Sequence, residues 1–573
     1  MTKRAVSLTG SPSIAWLERP VSHAGVVLLA VLIAAAPWVL FFDPIAGLRR
    51  AHIPRDPSAI YRLYGDDFAY VAASRTLPRT LANLFVPHNA HIVPAWRVLT
   101  WALVAWSGSL VKLPAVLAQA AYGILVAVML MTARLVARET GRAGLGLAAM
   151  AAVGTTSVMA SPACWYSAGQ TLWAGFGILA TLWYAQCWRR RPSIAALVLA
   201  AISAALAGWF WTIGYMAGPV AAVYLWLDGR RRCRLAAAVP LCASVLALLT
   251  AMALGGGKID STVSFHGRTP GEAARPVEGL LHTAQAIPEN LILGNLGLKA
   301  QTTPAQGAMI SLILLGLWAF HRGRDQGIRA FNPLECAGAA LVLGSYLVEW
   351  TVRGYLPFRS LRTISLGMIV PWYDVVPQIG AVLFVAGWCS GPRSRGSRPA
   401  VLRPIAPISR LGAIGVIGLM AVLLVLNRPR VDLLWRNWVP PLSRAEEKKF
   451  PILALQSLRA HLLLLDRADW QRRHLRRLDQ AQEVAARLGI GRDGIRAAFG
   501  RLDMPELPDV YDAAGLLDLP ERGRLTDRDA IRRAIAPYVF RESEPRPPWL
   551  PPDEPWPPRD LPHWSESDVD VSE

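Results

Sequence analysis

The stretch VSHAGVVLLAVLIAAAPWVLFF, residues 21–42, decides the fold class of this chain. A helix needs about 20 consecutive apolar residues to cross a bilayer, and this run reaches that length without an Asp, Glu, Lys or Arg. It is also longer than the apolar core of a signal peptide, which has about 7–15 residues. Because Lys3, Arg4 and Arg19 precede the run, the sequence predicts an uncleaved first membrane span with a cytoplasmic N-terminus.

The same apolar pattern recurs along the chain. Further spans are predicted near residues 115–133, 143–160, 171–188, 194–210, 214–227, 235–254, 307–321, 334–350, 372–389 and 410–427. The composition agrees, because 53% of the residues are hydrophobic and only 17% are charged, against about 25% charged residues in average globular chains. The predicted fold is an all-α integral membrane protein with about 11 transmembrane helices.

Arginine clusters lie beside these segments, and their placement predicts which side of the membrane each loop faces. The clusters are Arg134, Arg138 and Arg142; Arg189, Arg190 and Arg191; Arg230, Arg231, Arg232 and Arg234; Arg322, Arg324 and Arg329; and Arg393, Arg395 and Arg398. Positive residues favour the cytoplasmic side, so the net charge of +20 is attributed to membrane topology. No nucleic-acid partner is predicted, because the chain carries no RNA- or DNA-binding motif.

The segment 95–111 decides whether this topology holds. An ordinary span at this position would move every later arginine cluster to the outside. The segment contains Arg97, Trp96, Trp101 and Trp106, and tryptophan favours the membrane interface. We therefore predict a helix that lies in the outer interface, within a first external segment from Asp43 to about Pro114.

The chain is predicted to divide into three regions. Residues 1–427 form the polytopic membrane domain, and residues 428–542 form a helical extramembrane tail that is predicted to be external. Helix is indicated there by the spacing of Leu455, Leu458, Leu462 and Leu465. Residues 543–573 are rich in proline and end in acidic residues, a composition typical of disorder.

Other residue patterns exclude several function classes. None of the 6 cysteines lies in a CxxC pair or a metal-ligand spacing, so neither a disulfide framework nor a cysteine metal site is predicted. The chain has no Walker loop, GxSxG or HExxH motif, which leaves ATP hydrolysis, serine hydrolysis and zincin chemistry without support.

Asp66 and Asp67 are the candidate catalytic residues. They lie in the predicted first external segment, within Tyr64-Gly65-Asp66-Asp67-Phe68. A carboxylate close to a low-dielectric surface can act as a general base, because partial desolvation raises its proton affinity. The alternative is that both are solvated loop residues, or that one of them caps a short helix.

His88 and His91 are candidate substrate-binding residues in the same segment. They can bind a phosphate or a sugar hydroxyl, and with Asp66 or Asp67 they offer the ligand types of a divalent metal site. These residues do not require a cofactor, and a bound divalent metal ion is an alternative. A further alternative is that the two histidines only hydrogen-bond the loop backbone.

Three arginines break the positive-inside trend and are also candidate substrate-binding residues. Arg353, Arg359 and Arg362 fall in the fourth predicted external loop. A guanidinium group matches phosphate oxygens with two parallel hydrogen bonds, so these residues would suit a lipid-linked phosphate. The alternative is contact with the headgroups of ordinary lipids.

Over roughly residues 21–390, the chain resembles the GT-C glycosyltransferases, polytopic enzymes that use polyprenyl-phosphate sugars. The matching stretches are Gly65-Asp66-Asp67-Phe68 and the run from Pro87-His88-Asn89-Ala90-His91 to Arg97. The resemblance implies interfacial helices in the first external loop and Asp66 or Asp67 as the base. It also implies sugar transfer from a polyprenyl phosphate to a hydroxyl of a glycan, lipid or protein acceptor.

The chain departs from this family in its second external loop. Many members carry another acidic residue there, whereas residues 161–170 contain none and Gln170 is the nearest polar substitute. The family's usual carboxylate pair and any metal that it holds are therefore not predicted from this loop.

The function predicted from these observations is a glycosyltransferase at the outer face of the cytoplasmic membrane. One alternative is a transporter or flippase of a lipid-linked or polysaccharide intermediate, which would call for internal repeats and ionisable residues at mid-membrane. Another is a polysaccharide polymerase or ligase, or a membrane scaffold without activity. External arginines suit a polymerase equally well.

Overall fold

The fold is described from a computed structural model of the chain. The structure describes residues 17–42, 70–71, 73–74, 76–88, 91–107, 113–255, 280, 283–293, 304–326, 332–353, 371–390 and 405–438. Within these residues the regular elements are helices, and the extended backbone is confined to isolated bridges. The predicted all-α fold class is therefore confirmed for this part of the chain.

Fifteen α-helices follow one another in these ranges. They are α1 (His23–Phe42), α2 (Leu77–Ala82), α3 (Pro94–Ser107), α4 (Leu113–Thr140), α5 (Ala143–Gly154), α6 (Ala160–Cys164), α7 (Gln170–Arg190), α8 (Ile194–Phe210), α9 (Ala217–Trp226), α10 (Arg231–Ala236), α11 (Ala238–Leu254), α12 (Pro304–Gln326), α13 (Pro333–Arg353), α14 (Val375–Cys389) and α15 (Arg410–Trp438). A π-helix covers Ile287–Leu293, and 3-10 turns cover Ser157–Met159, Ser167–Gly169, Thr212–Met216 and Pro371–Asp374.

Several of these helices are long and apolar enough to cross a membrane. Four meet that test, His23–Phe41, Val116–Thr140, Arg231–Leu254 and Arg410–Pro429, and the bent pair Ala143–Gly154 with Ser157–Ala163 is a fifth candidate. Shorter apolar helices cover Ile194–Phe210, Ala305–His321, Pro333–Val348 and Val375–Cys389. The protein is thus a multi-pass membrane protein. Each predicted span coincides with helix, but the count of 11 remains a prediction.

Arginines from three of the five predicted clusters lie at one end of the helix bundle, and the side chains of the other two clusters lie outside the described residues. Residues in contact there are Arg138, Arg142, Arg189, Arg190, Arg230 and Cys389, and we call this the arginine end. Arg190 Nη2 donates to the carbonyl of Arg138 at 3.1 Å, and Arg142 Nη1 donates to the carbonyl of Cys389 at 3.5 Å. These contacts bring together residues of α4, α7, α14 and the loops after α4 and α9. The side of the membrane that they face remains a prediction.

The other end of the bundle, the histidine end, is defined by His88, His91, Thr212 and Asp374. Helix α8 starts close to the arginine end and finishes at Phe210, just before Thr212, so it separates the two ends by about 25 Å at 1.5 Å per residue. Helix α14 starts immediately after Asp374 and finishes at Cys389 in the arginine end. Both helices therefore lead from one end to the other.

Helix α3 stays at the histidine end. Its first residue is three positions after His91. Helix α4 begins six positions after the last residue of α3 and runs to the arginine end. Thr100 in α3 lies 2.6 Å from the Tyr166 hydroxyl, close to the start of α7. Helix α3 also has only 14 residues, too few for an ordinary span. This arrangement agrees with a segment that lies along the bundle end.

A break separates α5 from α6. The two helical pieces are bent by 54°, and Thr155, Thr156 and Ser157 lie between them. Short hydroxyl side chains compete with the helix for backbone partners, and the Thr156 side chain accepts a hydrogen bond from the Val158 N–H. The freed N–H of Ser157 donates to Asn427 Oδ1 of α15 at 2.9 Å, so another helix satisfies a backbone group that the break exposes.

Helices α13 and α14 approach each other through glycine. A Cβ at Gly338 would lie 2.4 Å from the Phe384 nitrogen and 2.6 Å from the Gly380 carbonyl oxygen, closer than side-chain carbons pack. A Cβ at Gly380 would in turn lie 2.9 Å from the Gly338 oxygen. Small residues of this kind allow close backbone packing of membrane helices. They hold Tyr346 of α13 near the start of α14.

The C-terminal tail is described only at its beginning. Helix α15 runs through the predicted boundary at residue 427 and ends at Trp438. The predicted helix around Leu455–Leu465 and the proline-rich region 543–573 lie outside the described residues. The division into three regions therefore stays a prediction.

Candidate functional site

The predicted site residues are only partly within the described structure. Asp66, Asp67, Arg359 and Arg362 lie outside the described residues. Arg353 is the last residue of α13, and its side chain is likewise outside the description. His88 and His91 are described in full, and the candidate site is built from them.

His88 and His91 face each other across a tight turn. The His88 N–H donates to the His91 carbonyl and the His91 N–H to the His88 carbonyl, both at 2.8 Å. Reciprocal bonds of this kind define a directly opposed antiparallel pair, whose side chains leave the same face of the ribbon. The turn therefore places His88 and His91 directly opposite each other.

The His88 ring packs against Tyr70. The ring centroids are 4.5 Å apart, and Tyr70 is 2% exposed. The same Tyr70 ring also meets α3, where Trp96 lies edge-on at 6.4 Å. Tyr70 follows Asp67 by three residues in the sequence, so His88 is anchored close to the point where the predicted catalytic segment joins the described fold.

The His91 ring is anchored by the turn between α8 and α9. His91 is 7% exposed, its Nδ1 lies 2.7 Å from Thr212 Oγ1, and its ring is 6.1 Å from that of Trp211. The contact with Thr212 spans 121 residues of sequence. The alternative that the histidines bond only to loop backbone is therefore wrong for His91.

Beyond Trp211 the contacts continue to a buried carboxylate. The Trp211 ring lies 5.6 Å from Tyr373, and the next residue, Asp374, is 6% exposed. Asn290 Nδ2 and the Tyr346 hydroxyl each donate to Asp374 Oδ1 at 2.8 Å. The histidine end thus contains a carboxylate held by donors from the π-helix and from α13.

Sequence reasoning did not select Asp374, which lies in the predicted span 372–389. One sequence signal was available, because an ionisable residue within an apolar span is a functional candidate by default. The segment Ile287–Leu293 forms a π-helix, an element that is frequent at functional sites, but this is visible only in the structure. The sequence signal does not indicate that Asn290 and Asp374 meet.

Tyr166, an aromatic residue of the second predicted external loop, is packed inside the fold. Tyr166 is 2% exposed and stacks on Trp96 with ring centroids 4.3 Å apart and an interplanar angle of 28°. Gln170 is buried as well. A sugar ring therefore cannot stack on Tyr166 without displacing Trp96, and the structure assigns Tyr166 to the packing of α3.

The metal alternative gains no support from the described residues. Within the ranges that the structure covers, no group of three or more His, Cys, Asp or Glu side chains could hold an ion. The carboxylates that would complete a site with His88 and His91 are Asp66 and Asp67, which lie outside these ranges. Five of the cysteines, Cys187, Cys233, Cys242, Cys336 and Cys389, are free thiols.

A second polar network lies at the arginine end. Arg189 Nη1 donates to Glu139 Oε1 at 3.0 Å and Arg189 Nε donates to Asp228 Oδ2 at 2.7 Å. The Tyr224 hydroxyl donates to Glu139 Oε2 at 2.5 Å, and Arg230 bonds to Asp228 as well. Two carboxylates therefore face two guanidinium groups.

Asp228 lies in the loop after α9. Burial and the neighbouring positive charges shift its pKa in opposite directions. Burial disfavours its charged form, but the hydrogen bonds and positive charges of Arg230 and Arg189 outweigh burial and lower the pKa of Asp228 well below the usual carboxyl range. Asp228 is therefore charged at neutral pH. The network is neutral overall and joins α4, α7 and α9, as expected of an element that stabilises the fold.

Comparison with known proteins does not assign a function to this chain. No family model matches the chain, and no curated protein or solved structure matches it either.

Proposed function

We propose that this protein is a membrane glycosyltransferase. It moves a sugar from a polyprenyl-phosphate donor to a hydroxyl of a glycan, lipid or protein acceptor. The reaction takes place at the histidine end, on the outer face of the cytoplasmic membrane. In this orientation the arginine end and the N-terminus are cytoplasmic, and the tail after α15 is external.

One observation carries the proposal. The His88–His91 turn joins Tyr70, just after the predicted catalytic Asp66 and Asp67, to the bundle end formed by Thr212 and Trp211. The segment that sequence reasoning chose for its chemistry is thus attached to a buried polar and aromatic surface. Sites of this composition, with apolar walls and a few convergent polar groups, are the usual setting for small-ligand chemistry.

The proposed reaction is a single displacement. Asp66 or Asp67 accepts the proton of the acceptor hydroxyl while the hydroxyl oxygen bonds to the anomeric carbon. The bond between that carbon and the phosphate oxygen breaks, and polyprenyl phosphate leaves with the bonding electrons. Arg353, Arg359 and Arg362 bind the phosphate and stabilise its charge, and His88 and His91 bind phosphate or sugar hydroxyls.

The buried charges of the bundle do not favour the transporter alternative. Ionisable residues inside a membrane domain are functional candidates in ion-coupled transport. However, Glu139 and Arg189 lie at the arginine end and neutralise each other at 3.0 Å. These two charges are fixed by mutual pairing, so they give no support to an ion-translocation path.

Separate Asp66→Asn and Asp67→Asn variants test the proposal. In membranes that contain each variant at matched protein level, we expect sugar transfer from a lipid-linked donor to fall by about 10²–10⁴-fold for the residue that is the base. Asp56→Asn, in the same predicted external segment, is the matched control and should transfer at the wild-type rate. Full transfer in both the Asp66 and the Asp67 variant would contradict the proposed base.

A further inference from the structure

Arg97 is the most deeply buried cation at the histidine end. It belongs to the first turn of α3 and is 3% exposed. Its Nη2 donates to the Val86 carbonyl at 3.1 Å, and its guanidinium carbon lies 5.6 Å from the centroid of the Tyr70 ring. Sequence reasoning used Arg97 only as a marker of the membrane interface, so its burial was not predicted.

The charge of Arg97 is not neutralised within the described fold. None of the ion pairs among the described residues includes Arg97. Burial lowers the pKa of Arg97, and the neighbouring Tyr70 opposes this only in part. Arginine nevertheless stays protonated in proteins, so it cannot relieve the desolvation cost by losing its proton. An anion is the partner that this environment calls for.

Three buried polar groups of residues close to Tyr70 lack hydrogen-bond partners. Arg97 Nε, Trp96 Nε1 and Ser74 Oγ are all buried and make no hydrogen bond. Trp96 and Arg97 both contact the Tyr70 ring, and Ser74 is one helical turn after Tyr70, with its N–H bonded to the Tyr70 carbonyl at 3.0 Å. Buried polar groups without partners are rare in native proteins and call for an explanation.

The surroundings of Arg97 favour a phosphate over other anions. A guanidinium group forms two parallel hydrogen bonds with phosphate oxygens. The site also lies at the first turn of α3, where the helix dipole is positive and negative charge is stabilised. The half-buried His88 ring packs against the same Tyr70 ring, with centroids 4.5 Å apart.

We propose that Arg97, with Tyr70, Ser74 and Trp96, forms a phosphate-binding site that holds the phosphate group of the lipid-linked donor. The choice of a lipid-linked phosphate rests on the proposed function, whereas the anion site rests on the geometry alone. Arg97 is then a further residue that binds the leaving phosphate, in addition to the proposed Arg353, Arg359 and Arg362.

Ligand-dependent thermal unfolding tests the site. The full chain, purified in a neutral detergent, is titrated with a short-chain isoprenyl monophosphate, and the unfolding midpoint is measured at each concentration. We expect a saturable rise for the wild type and an apparent Kd weaker by about 10- to 100-fold for Arg97→Gln, because charge-assisted hydrogen bonds are lost. Arg97→Lys keeps the charge and should retain part of the affinity.

A matched control separates this effect from general loss of positive charge. Arg79 in α2 is exposed, and Arg79→Gln should bind the isoprenyl phosphate like the wild type. Without ligand, Arg97→Gln should unfold at the wild-type midpoint or above it, because the substitution removes an uncompensated buried charge. Isoprenyl alcohol and phosphatidylglycerol, tested at the same concentrations, should give no saturable rise.

Four results would overturn the proposal. Arg97→Gln could bind the isoprenyl phosphate as tightly as the wild type, or the alcohol could stabilise the protein as well as the phosphate does. An equal rise with phosphatidylglycerol would assign the site to ordinary lipid headgroups. If Arg97→Gln lowers the ligand-free midpoint and Asp66→Asn or Asp67→Asn lowers it equally, the partner of Arg97 is a carboxylate of the chain itself.

Failure of this site and failure of the proposed function give different results. If the wild type binds the isoprenyl phosphate through Arg97 but transfers no sugar, the proposed function fails and the phosphate site stands. If the protein transfers sugar and Arg97→Gln leaves the donor KM unchanged, the function stands and the site fails.

Discussion

At the arginine end, Arg189 is fully buried and two carboxylates, Glu139 and Asp228, bond to it at 3.0 and 2.7 Å. At the histidine end, Arg97 is buried to nearly the same degree, yet its Nη2 bonds to a neutral carbonyl and its Nε makes no hydrogen bond. The two guanidinium groups are chemically identical and almost equally buried. They differ in their partners, which are carboxylates for Arg189 and a neutral carbonyl for Arg97.

From this difference we infer that the arginine end is structural, and we propose that the histidine end binds a ligand. A buried charge that is paired on several sides is fixed, and breaking the pair destabilises the fold. A buried charge without a counter-ion destabilises the protein until an anion reaches it, and such arrangements concentrate at functional sites. We therefore expect substitutions at the arginine end to change stability and substitutions at the histidine end to change binding and transfer.

Arg189→Met should have the largest effect on stability. It leaves Glu139 and Asp228 buried without their main partner, and breaking a buried pair in this way costs about 3–5 kcal/mol. The thermal unfolding midpoint of the purified protein should fall steeply, with less folded protein recovered. Arg232→Gln, an exposed arginine in the same end, is the control. A wild-type midpoint for Arg189→Met would show that the network is dispensable.

Thr212→Val should have a moderate effect at the histidine end. The substitution removes the hydroxyl that lies 2.7 Å from His91 Nδ1, and a lost hydrogen bond of this kind costs about 0.5–1.5 kcal/mol. The His91 ring then loses its fixed orientation, so the rate of sugar transfer should fall more than the stability does. Thr212→Ser keeps the hydroxyl and should restore transfer. Equal loss of transfer in both variants would refute the role of the hydrogen bond.

The smallest effect is expected from mild changes of pH. The folded-state pKa of Asp228 is lowered, so its stabilisation is complete above the unfolded-state pKa and is lost only as the pH falls through the lower, folded-state value. Between about pH 5 and 8 its contribution should be constant. The difference in unfolding midpoint between the wild type and Asp228→Asn, measured across this range, should not change. A difference that shrinks towards pH 5 would contradict the lowered pKa.

The sequence predicted the helices well because their signal is local. Apolar length alone located α1, α4 and α15. The tryptophan-rich segment 95–111 coincides with the 14-residue helix α3, whose location in the membrane interface remains a prediction. Boundaries were less accurate: the predicted span 214–227 consists of a 3-10 turn followed by the short helix Ala217–Trp226. The broken pair α5 and α6 was predicted as one continuous span.

The sites could not be predicted to the same extent because their signal is not local. His88 and His91 were predicted as a pair and lie opposite each other in an isolated bridge, yet the contact of His91 with Thr212 joins residues 121 positions apart. The contact between Asn290 and Asp374 spans 84 positions. Arg189 was counted only as part of a topological cluster, and Arg97 only as an interface marker, because sequence periodicity does not reveal whether a charge will be paired.

One measurement tests the contrast between the two ends most directly. It is the rate of sugar transfer per folded molecule, measured in proteoliposomes that contain a synthetic polyprenyl-phosphate sugar. The double variant Asp66→Asn/Asp67→Asn should unfold at the wild-type midpoint and transfer no sugar. Glu139→Gln should unfold at a lower midpoint and, per folded molecule, transfer at the wild-type rate. Wild-type transfer by the double variant, or loss of transfer by Glu139→Gln at an unchanged midpoint, would contradict the account.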